Sequence, residues 1–362
     1  MSVLNLKSLK KEAIQLLVKL INTPSVSKEE KNVSILIEDY LSKYGFHVHR
    51  KFNNIWTEST NYDDKEVSLH TILLNSHHDT VQPGKNWITN PFKAIVNKDD
   101  KLIGLGSNDA GGSIVSLISA FIYLNSFSTR LPYKLILSIT AEEEISGPLG
   151  IRSIINDIGK IDLGIIGEPT KMQVAIGEKG LIVLDCIAQG KTGHSARNIG
   201  INAIYIAIKD IEKLRYLKFD RKSKILGFPT LNVTQIKGGI QHNVIPDLCY
   251  FVVDLRTNEL YTNEELIEMI QNQINSRIKP RPYYSNCSFI DPRHPIVKKA
   301  KLIGRKIYGS PTLSDQSLMP FPTIKMGVGE SERSHTPNEY VLVSEIISGI
   351  DIYIRLLKDF KF

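Results

Sequence analysis

Cysteine is scarce in this sequence. Cys186, Cys249 and Cys287 are the only three in a chain of 362 residues. No two form a CxxC pair, which excludes a disulfide framework or a zinc knuckle and leaves thiols that behave as small apolar side chains. Long apolar runs are also missing. No window approaches the roughly 18 uninterrupted apolar residues of a membrane span, and a composition of 42% hydrophobic and 23% charged residues is that of a soluble globular protein. Residues 13–19 are broken by charge and lack a small-residue cleavage site, so no signal peptide is expected, no membrane partner, and a cytoplasmic location. A basic stripe is absent too. The formal net charge is +7, but the lysines are scattered among Ile and Asn rather than clustered with aromatics. That argues against a nucleic-acid partner, while a mildly basic surface attracts a small anionic substrate.

At roughly 100–200 residues per domain, the length predicts two domains. Leu9, Ala13, Leu16, Leu17 and Leu20 keep helical spacing, ended by Thr23-Pro24. Ser27-Lys28-Glu29-Glu30 reads as a capping box opening a second helix, which Gly45 closes. His47 and His49 share a face of the next strand, but no acid clusters with them, and a solvated face is expected. From 71 to 170, strands alternate with a helix after Asp109, the pattern of an α/β domain with a largely parallel sheet. Strands at 181–189, 230–237 and 244–256, with helices near 202–214 and 263–276, predict a small α+β domain that ends in an irregular stretch at 279–283. Helix, strand and helix at 296–307, 323–326 and 344–357 then return to the first domain. The first domain is thus discontinuous, 1–172 and 287–362, with 173–286 inserted.

Three acidic clusters each follow an apolar strand-like run: His77-His78-Asp79, Glu142-Glu143-Glu144 and Glu168-Pro169-Thr170. In open α/β sheets the ligand crevice lies outside the carboxyl ends of the strands, so such clusters can converge on a metal. His77 is the expected ligand of the first, with Asp79 fixing its tautomer and raising its basicity. Asp109, flanked by small residues, stands at the start of the following helix. Three adjacent carboxylates repel one another unless a cation compensates. Strand alternation would point Glu142 and Glu144 one way and Glu143 the other, so part of the cluster can be ligand and part acid or base.

These motifs resemble the M20 family of two-metal amidohydrolases and peptidases. The family's HxDxV appears as His77-His78-Asp79-Thr80-Val81, its SDxKGG as Asn108-Asp109-Ala110-Gly111-Gly112 and its DEE as Glu142-Glu143-Glu144. Its GEPT is Gly167-Glu168-Pro169-Thr170, and its HTxxE is His335-Thr336-Pro337-Asn338-Glu339. The resemblance implies a zinc-peptidase-like three-layer catalytic domain with an inserted, ferredoxin-like dimerisation and lid domain. It implies two divalent ions per subunit, zinc or else cobalt: Asp109 as bridge, Glu144 and His335 completing one site, His77 and Glu168 the other. Glu143 then resembles the general base, and Asp79 the carboxylate that orients His77 from behind. His194, in Gly193-His194-Ser195, resembles a histidine that crosses into the partner's site of a homodimer. Asn243 and Arg256 match positions that hold substrate.

The chemistry fits independently. Two divalent ions can activate a water and polarise an amide carbonyl while a nearby glutamate moves the proton to the leaving amine. A histidine and an asparagine over the carbonyl would stabilise the oxyanion, and an arginine fork suits the carboxylate of an N-acyl amino acid. The expected substrate is therefore a small anionic or zwitterionic N-acyl amino acid. Thr312-Leu313-Ser314-Asp315-Gln316 and Glu330-Ser331-Glu332-Arg333 look like the arginine-pathway branch, as in acetylornithine deacetylase and acyl-ornithine or citrulline variants. Succinyl-diaminopimelate desuccinylase or a dipeptidase is the alternative within the fold. Asn108-Asp109-Ala110 and Gly327-Val328-Gly329 depart from the family pattern at the pocket wall and leave specificity open. A non-catalytic binding module is the alternative outside it, and that would predict a missing ligand or base.

Overall fold

The computed structural model describes residues 4–63, 69–197, 199–282 and 285–362. The chain is α/β and divides into two compact units. The first comprises the chain through Ile176, Ile290–Tyr308 and Ser314–Phe362; the second comprises Gly177–Phe289 with Gly309–Leu313.

The first unit opens with helices α1 (Leu6–Ile21) and α2 (Lys31–Lys43). Helix α1 is capped by the Asn5 side chain and buries Leu9, Ala13, Leu16, Leu17 and Leu20 on one stripe, as their spacing predicts. No side chain caps α2, whose N-cap is Glu30. The expected box fails because the Ser27 hydroxyl is spent on Asp79, at 2.7 Å. The hairpin β1 (Val48–Lys51) and β2 (Asn54–Glu58) is followed by β3 (Thr71–His77), α3 (Gly112–Asn125), β4 (Lys134–Thr140), β5 (Leu163–Ile166) and β6 (Val174–Glu178).

The inserted segment forms β7 (Gly180–Gln189), α4 (Ala203–Arg215), β8 (Thr230–Gly238), β9 (Leu248–Thr257), α5 (Asn263–Gln271) and β10 (Arg277–Pro280). The chain then returns through α6 (Pro295–Leu302), β11 (Thr323–Lys325) and α7 (Val343–Leu357).

In the first unit the sheet order is β1-β2-β4-β3-β5-β11-β6. Its centre, β4-β3-β5-β11, is parallel, and β1, β2 and β6 are antiparallel additions. Strand β3 is buried along its whole length, as a central parallel strand covered on both faces must be. Helix α3 is buried on nearly every side, so it reads as apolar all round rather than amphipathic. The short helix Ile151–Ile154 and the turn Asp315–Leu318 lie on the sheet face formed by Leu73, Ile136 and Ile166.

The second unit has sheet order β8-β9-β7-β10, all antiparallel, and chain order βαββαβ. That topology is ferredoxin-like. Strands β7 and β9 alternate buried and half-exposed positions, and Leu184, Cys186, Phe251 and Val253 pack with Ala203, Ala207, Leu266 and Ile270. Pro246-Asp247 interrupts the single strand expected at 244–256, leaving a two-residue strand Val244–Ile245 before β9. Of the stretch expected to be irregular, Lys279 and Pro280 belong to β10 and Tyr283 lies outside the described residues. Among the described residues no helix is long and apolar enough to cross a membrane.

Candidate active site

Strands β4, β3 and β5 run parallel, with His77 level with Thr140 and Asn75 level with Ile166. Their carboxyl ends therefore come out side by side, and the acidic clusters that follow them meet. His77 ends β3 and is 1% exposed. Its Nδ1 lies 3.0 Å from the Asp79 carbonyl oxygen, an acceptor, so that nitrogen carries a hydrogen and Nε2 is the atom left to face the acidic cluster. Nε2 lies 3.1 Å from Asp109 Oδ1 and 3.6 Å from Glu168 Oε1. On the other side, His335 Nε2 lies 2.9 Å from Glu144 Oε2 and 3.6 Å from Asp109 Oδ2. Asp109 thus offers one oxygen to each histidine. Donor atoms of His77, Asp109 and Glu168 fall within 4.8 Å of one another, as do those of Asp109, Glu144 and His335.

The loop bearing Asp109 is held from behind by Glu339, a residue to which the sequence reading gives no role. Its carboxylate is buried and accepts the backbone N–H groups of Gly106, Asn108 and Asp109 at 3.2, 2.8 and 2.9 Å. Gly106 sits at φ +74°, where a Cβ would also meet Thr80. Asn108 ties this loop to the one before His335 through the Glu330 backbone and the Ser334 hydroxyl. The only sequence signal for Glu339 is its place in the His335 motif.

Strand alternation does not carry through the glutamate triplet. Strand β4 stops at Thr140 and Glu142 turns to φ +55°, so its carboxylate swings back to accept the Leu149 N–H at 3.1 Å. The Asp79 carboxylate accepts the N–H of Glu143 at 3.0 Å and of Glu144 at 3.2 Å. Both of those side chains then face the cluster. Glu143 Oε2 is 4.0 Å from His77 Nε2 and belongs to neither three-residue donor set.

The electrostatics report crowding. Burial, reinforced by Glu168, Asp315 and Glu144 against His77, holds Glu143 well above the usual carboxylate range. Burial pushes Glu168 up to about 8, with Asp109 and Glu144 adding to it against His77. For His335 the hydrogen bond it donates to Glu144 dominates and raises it to about 9. Burial alone would depress His77, yet the charges of Glu143 and Glu168 and its bonds to Asp109 and Asp79 hold it well above its ordinary value. Carboxylates this close in a buried site call for cationic charge between them, and a mixed oxygen and imidazole donor set suits a divalent ion such as zinc.

The remaining candidates belong to the second unit. His194 pairs with Val244 in a two-residue ladder, and the Ser195 N–H donates to the Asn243 carbonyl at 3.1 Å, so His194 and Asn243 are neighbours there. Arg256 is not with them. It lies on β9 opposite Leu181, and its guanidinium fork grips Asp254 at 2.8 and 3.1 Å.

A family model described as Peptidase family M20/M25/M40 matches residues 73–359. The chain is 30% identical over 377 residues to the acetylornithine deacetylase of Buchnera aphidicola subsp. Schizaphis graminum, spanning 96% of this chain and 97% of that protein. It is 27% identical over 378 residues to a succinyl-diaminopimelate desuccinylase of Orientia tsutsugamushi strain Ikeda, spanning 96% of each. Among solved structures, the aminopeptidase PepT of Bacillus cereus superposes with a TM-score of 0.77 at 20% identity, over 96% of this chain and 98% of that one, a likeness of fold. The chain belongs to peptidase family M20/M25/M40, and it is an enzyme, a metallohydrolase of the amidohydrolase and peptidase type, rather than a non-catalytic binding module.

Proposed function

We propose that this enzyme hydrolyses the amide bond of an N-acyl amino acid, N-acetylornithine or a related N-acyl ornithine or citrulline in arginine biosynthesis, to a small carboxylate and a free amine. One observation carries the reading: Asp109 presents its two oxygens to two separate histidine-carboxylate pairs, the arrangement of a bridge between two cations. His77 and Glu168 would hold one divalent ion, Glu144 and His335 the other, with zinc the expected metal and cobalt a substitute. When bound, the ions supply Lewis-acid polarisation of the scissile carbonyl and a more acidic water.

The chain's own groups do the rest. Glu143, buried beside both donor sets and set by the Asp79 clamp, takes a proton from water and delivers it to the departing nitrogen. A glutamate whose proton affinity burial raises above that of an ordinary carboxylate suits that exchange. His194 and Asn243 donate to the oxyanion. Arg256 receives the substrate carboxylate, which must compete with Asp254 for the fork.

The second unit's geometry supports a homodimer. Arg256 lies eight residues along β9 from Leu248, about 27 Å at some 3.4 Å per residue, and Asn243 precedes that end. No small ligand spans both within one copy, so a site that uses both takes one of them from a second copy; we assign that part to His194 and Asn243, with each copy completing the other's site. The free thiols of Cys186, Cys249 and Cys287 suit a reducing cytoplasm.

The relatives include a desuccinylase as well as a deacetylase, so acyl preference is the quantity to measure. Zinc-loaded and cobalt-loaded enzyme should be assayed on N-acetyl and N-succinyl ornithine, citrulline and diaminopimelate, and on dipeptides. The expected result is highest kcat/KM on an N-acyl ornithine or citrulline. Preference for N-succinyl-diaminopimelate or for dipeptides would overturn the assignment while leaving the metal site intact.

A further inference from the structure

Asp315 is a buried carboxylate that neither donor set uses. It opens the turn Asp315–Leu318 and is 3% exposed. Its Oδ2 accepts two hydrogen bonds, from Thr140 Oγ1 at 2.7 Å and from Asn75 Nδ2 at 3.0 Å. Asn75 Oδ1 in turn accepts the Ser138 hydroxyl. Asn75 is level with Ser138, and His77 with Thr140, across the parallel β3–β4 pair.

Side chains two apart on a strand share a face, so Leu73, Asn75 and His77 on β3 stand beside Ile136, Ser138 and Thr140 on β4 in three tiers. The lowest tier belongs to an apolar cluster with Trp56, Ile166 and Met319. The uppermost carries His77 and the residue from which the chain turns toward Glu143. Between them lie Asn75 and Ser138, and Asn75 from this tier and Thr140 from the one above converge on Asp315, close enough for its charge to bear on Glu143 and His77.

Strands covered on both faces are ordinarily apolar throughout. Asn75, Ser138 and Thr140 are all fully buried, and each costs stability unless hydrogen-bonded. Apolar side chains of matching size, Leu for Asn75, Val for Thr140 and Ala for Ser138, would fill much the same space, so packing does not account for these polar groups. A need to hold the two strand exits fixed relative to each other does account for them.

We propose that Asp315 is a positioning residue of the hydrolytic site: by holding Thr140 and Asn75 it fixes the exits of β3 and β4, from which His77, Glu143 and Glu144 reach the metals. This rests on the di-metal reading above. The constraint is one of hydrogen-bond acceptance, so an asparagine, which keeps an acceptor oxygen in the same place, retains more of it than an alanine. Groups that orient metal ligands from behind are typically worth about 10–100-fold in metal affinity or activity.

The test compares wild type with Asp315→Ala, Asp315→Asn, Thr140→Val and the Asp315→Ala/Thr140→Val double variant. Zn2+ affinity is measured by chelator competition, the visible spectrum is taken with Co2+ alone, and kcat and KM are measured on the best substrate of the panel. Asp315→Ala should lose about 10–100-fold in Zn2+ affinity or kcat, with KM little changed and an altered Co2+ spectrum. Asp315→Asn should fall between it and wild type. Thr140→Val should lose less than Asp315→Ala, and should add almost nothing once Asp315 is gone, because coupled residues are not additive.

If Asp315→Ala melts earlier but keeps wild-type affinity, spectrum and kcat, its role is merely structural and the inference is overturned. Equal losses in Asp315→Asn and Asp315→Ala, or additive losses in the double variant, overturn it as well. Should Asp315→Ala fail to fold, Asp315→Asn and Thr140→Val still decide the matter through affinity and spectrum. A wild-type protein that binds no Zn2+ would remove the di-metal reading and this inference together, whereas normal wild-type binding with unaffected variants removes only the inference.

Discussion

The carboxylate of Asp79 accepts the backbone N–H of Glu143 at 3.0 Å, with Glu144 beside it on the other oxygen at 3.2 Å. One side chain therefore sets the turn that aims both glutamates, while its own carbonyl oxygen fixes the ring of His77. Asp79→Asn places an amide hydrogen where the turn needs an acceptor. It should lower kcat about 10–100-fold, the usual worth of a group that orients ligands. An unchanged kcat in folded, metal-loaded Asp79→Asn would refute the clamp.

Asp109 is the one carboxylate shared by both donor sets. Asp109→Ala should abolish tight binding of both ions, where Glu168→Ala or His335→Ala should spare one. Elemental analysis after exhaustive dialysis decides this, and retention of one full equivalent by Asp109→Ala would rule out a bridge.

Glu143 and Glu144 are adjacent but differ in surroundings, since only Glu144 lies within hydrogen-bonding distance of His335. Glu143→Gln should keep its metal and lose kcat by about 10²–10⁴-fold, the range of general acid-base catalysis. Glu144→Gln should instead lose metal. The reverse pattern would exchange the two roles.

Metal-free protein should lose stability as pH rises. Burial, aided by Asp109, lifts Glu168 and Glu339 each to about 8, against roughly 4.3 for an unfolded glutamate. Between those values the folded state keeps protons that the unfolded state has released, so stability present at acid pH is lost as pH climbs toward 8. Deprotonation also frees the ligands for metal, so added Zn2+ should restore the most stability at the upper end of this window. The check is Tm of chelator-treated protein at several pH values with and without Zn2+, and a metal-free Tm that rises steadily with pH would contradict it.

His194 belongs to the inserted unit, whereas the metal donors belong to the other. His194→Ala and Glu143→Ala homodimers should both be nearly inactive. A verified heterodimer of the two carries one complete and one doubly defective site, so it should recover up to about half of wild-type activity per dimer. No recovery would mean that His194 acts within its own chain or not at all.

That the three acidic clusters would meet was legible, because each follows an apolar run and β3, β4 and β5 end side by side. What was not legible depends on how the backbone turns after the run. Glu142 leaves the triplet because it takes a positive φ, a choice that period-two reasoning does not contain. Ser27 has the sequence context of a helix cap and acts instead on Asp79, 52 residues away. Glu339 and Asp315 serve through partners distant in sequence, and no local pattern announces such a bond. The Arg256–Asp254 pair, by contrast, follows the period-two rule, since residues two apart on a strand share a face.

The bond from the Asp109 amide to Glu339 spans 230 residues, and that from His335 to Glu144 spans 191. During synthesis His77 and Glu144 emerge first with the strands that lead to them, then the whole ferredoxin-like unit, and only afterwards the segment that supplies the last histidine and the carboxylate behind Asp109. Contacts of such separation form late, after the local ones. A nascent chain halted at the end of the insertion therefore carries most of the acids and lacks both the second histidine and the brace for the bridging loop. On the two-metal reading proposed above, competence to hydrolyse would arise only in the final stretch of translation, and partial products of this chain would be inert.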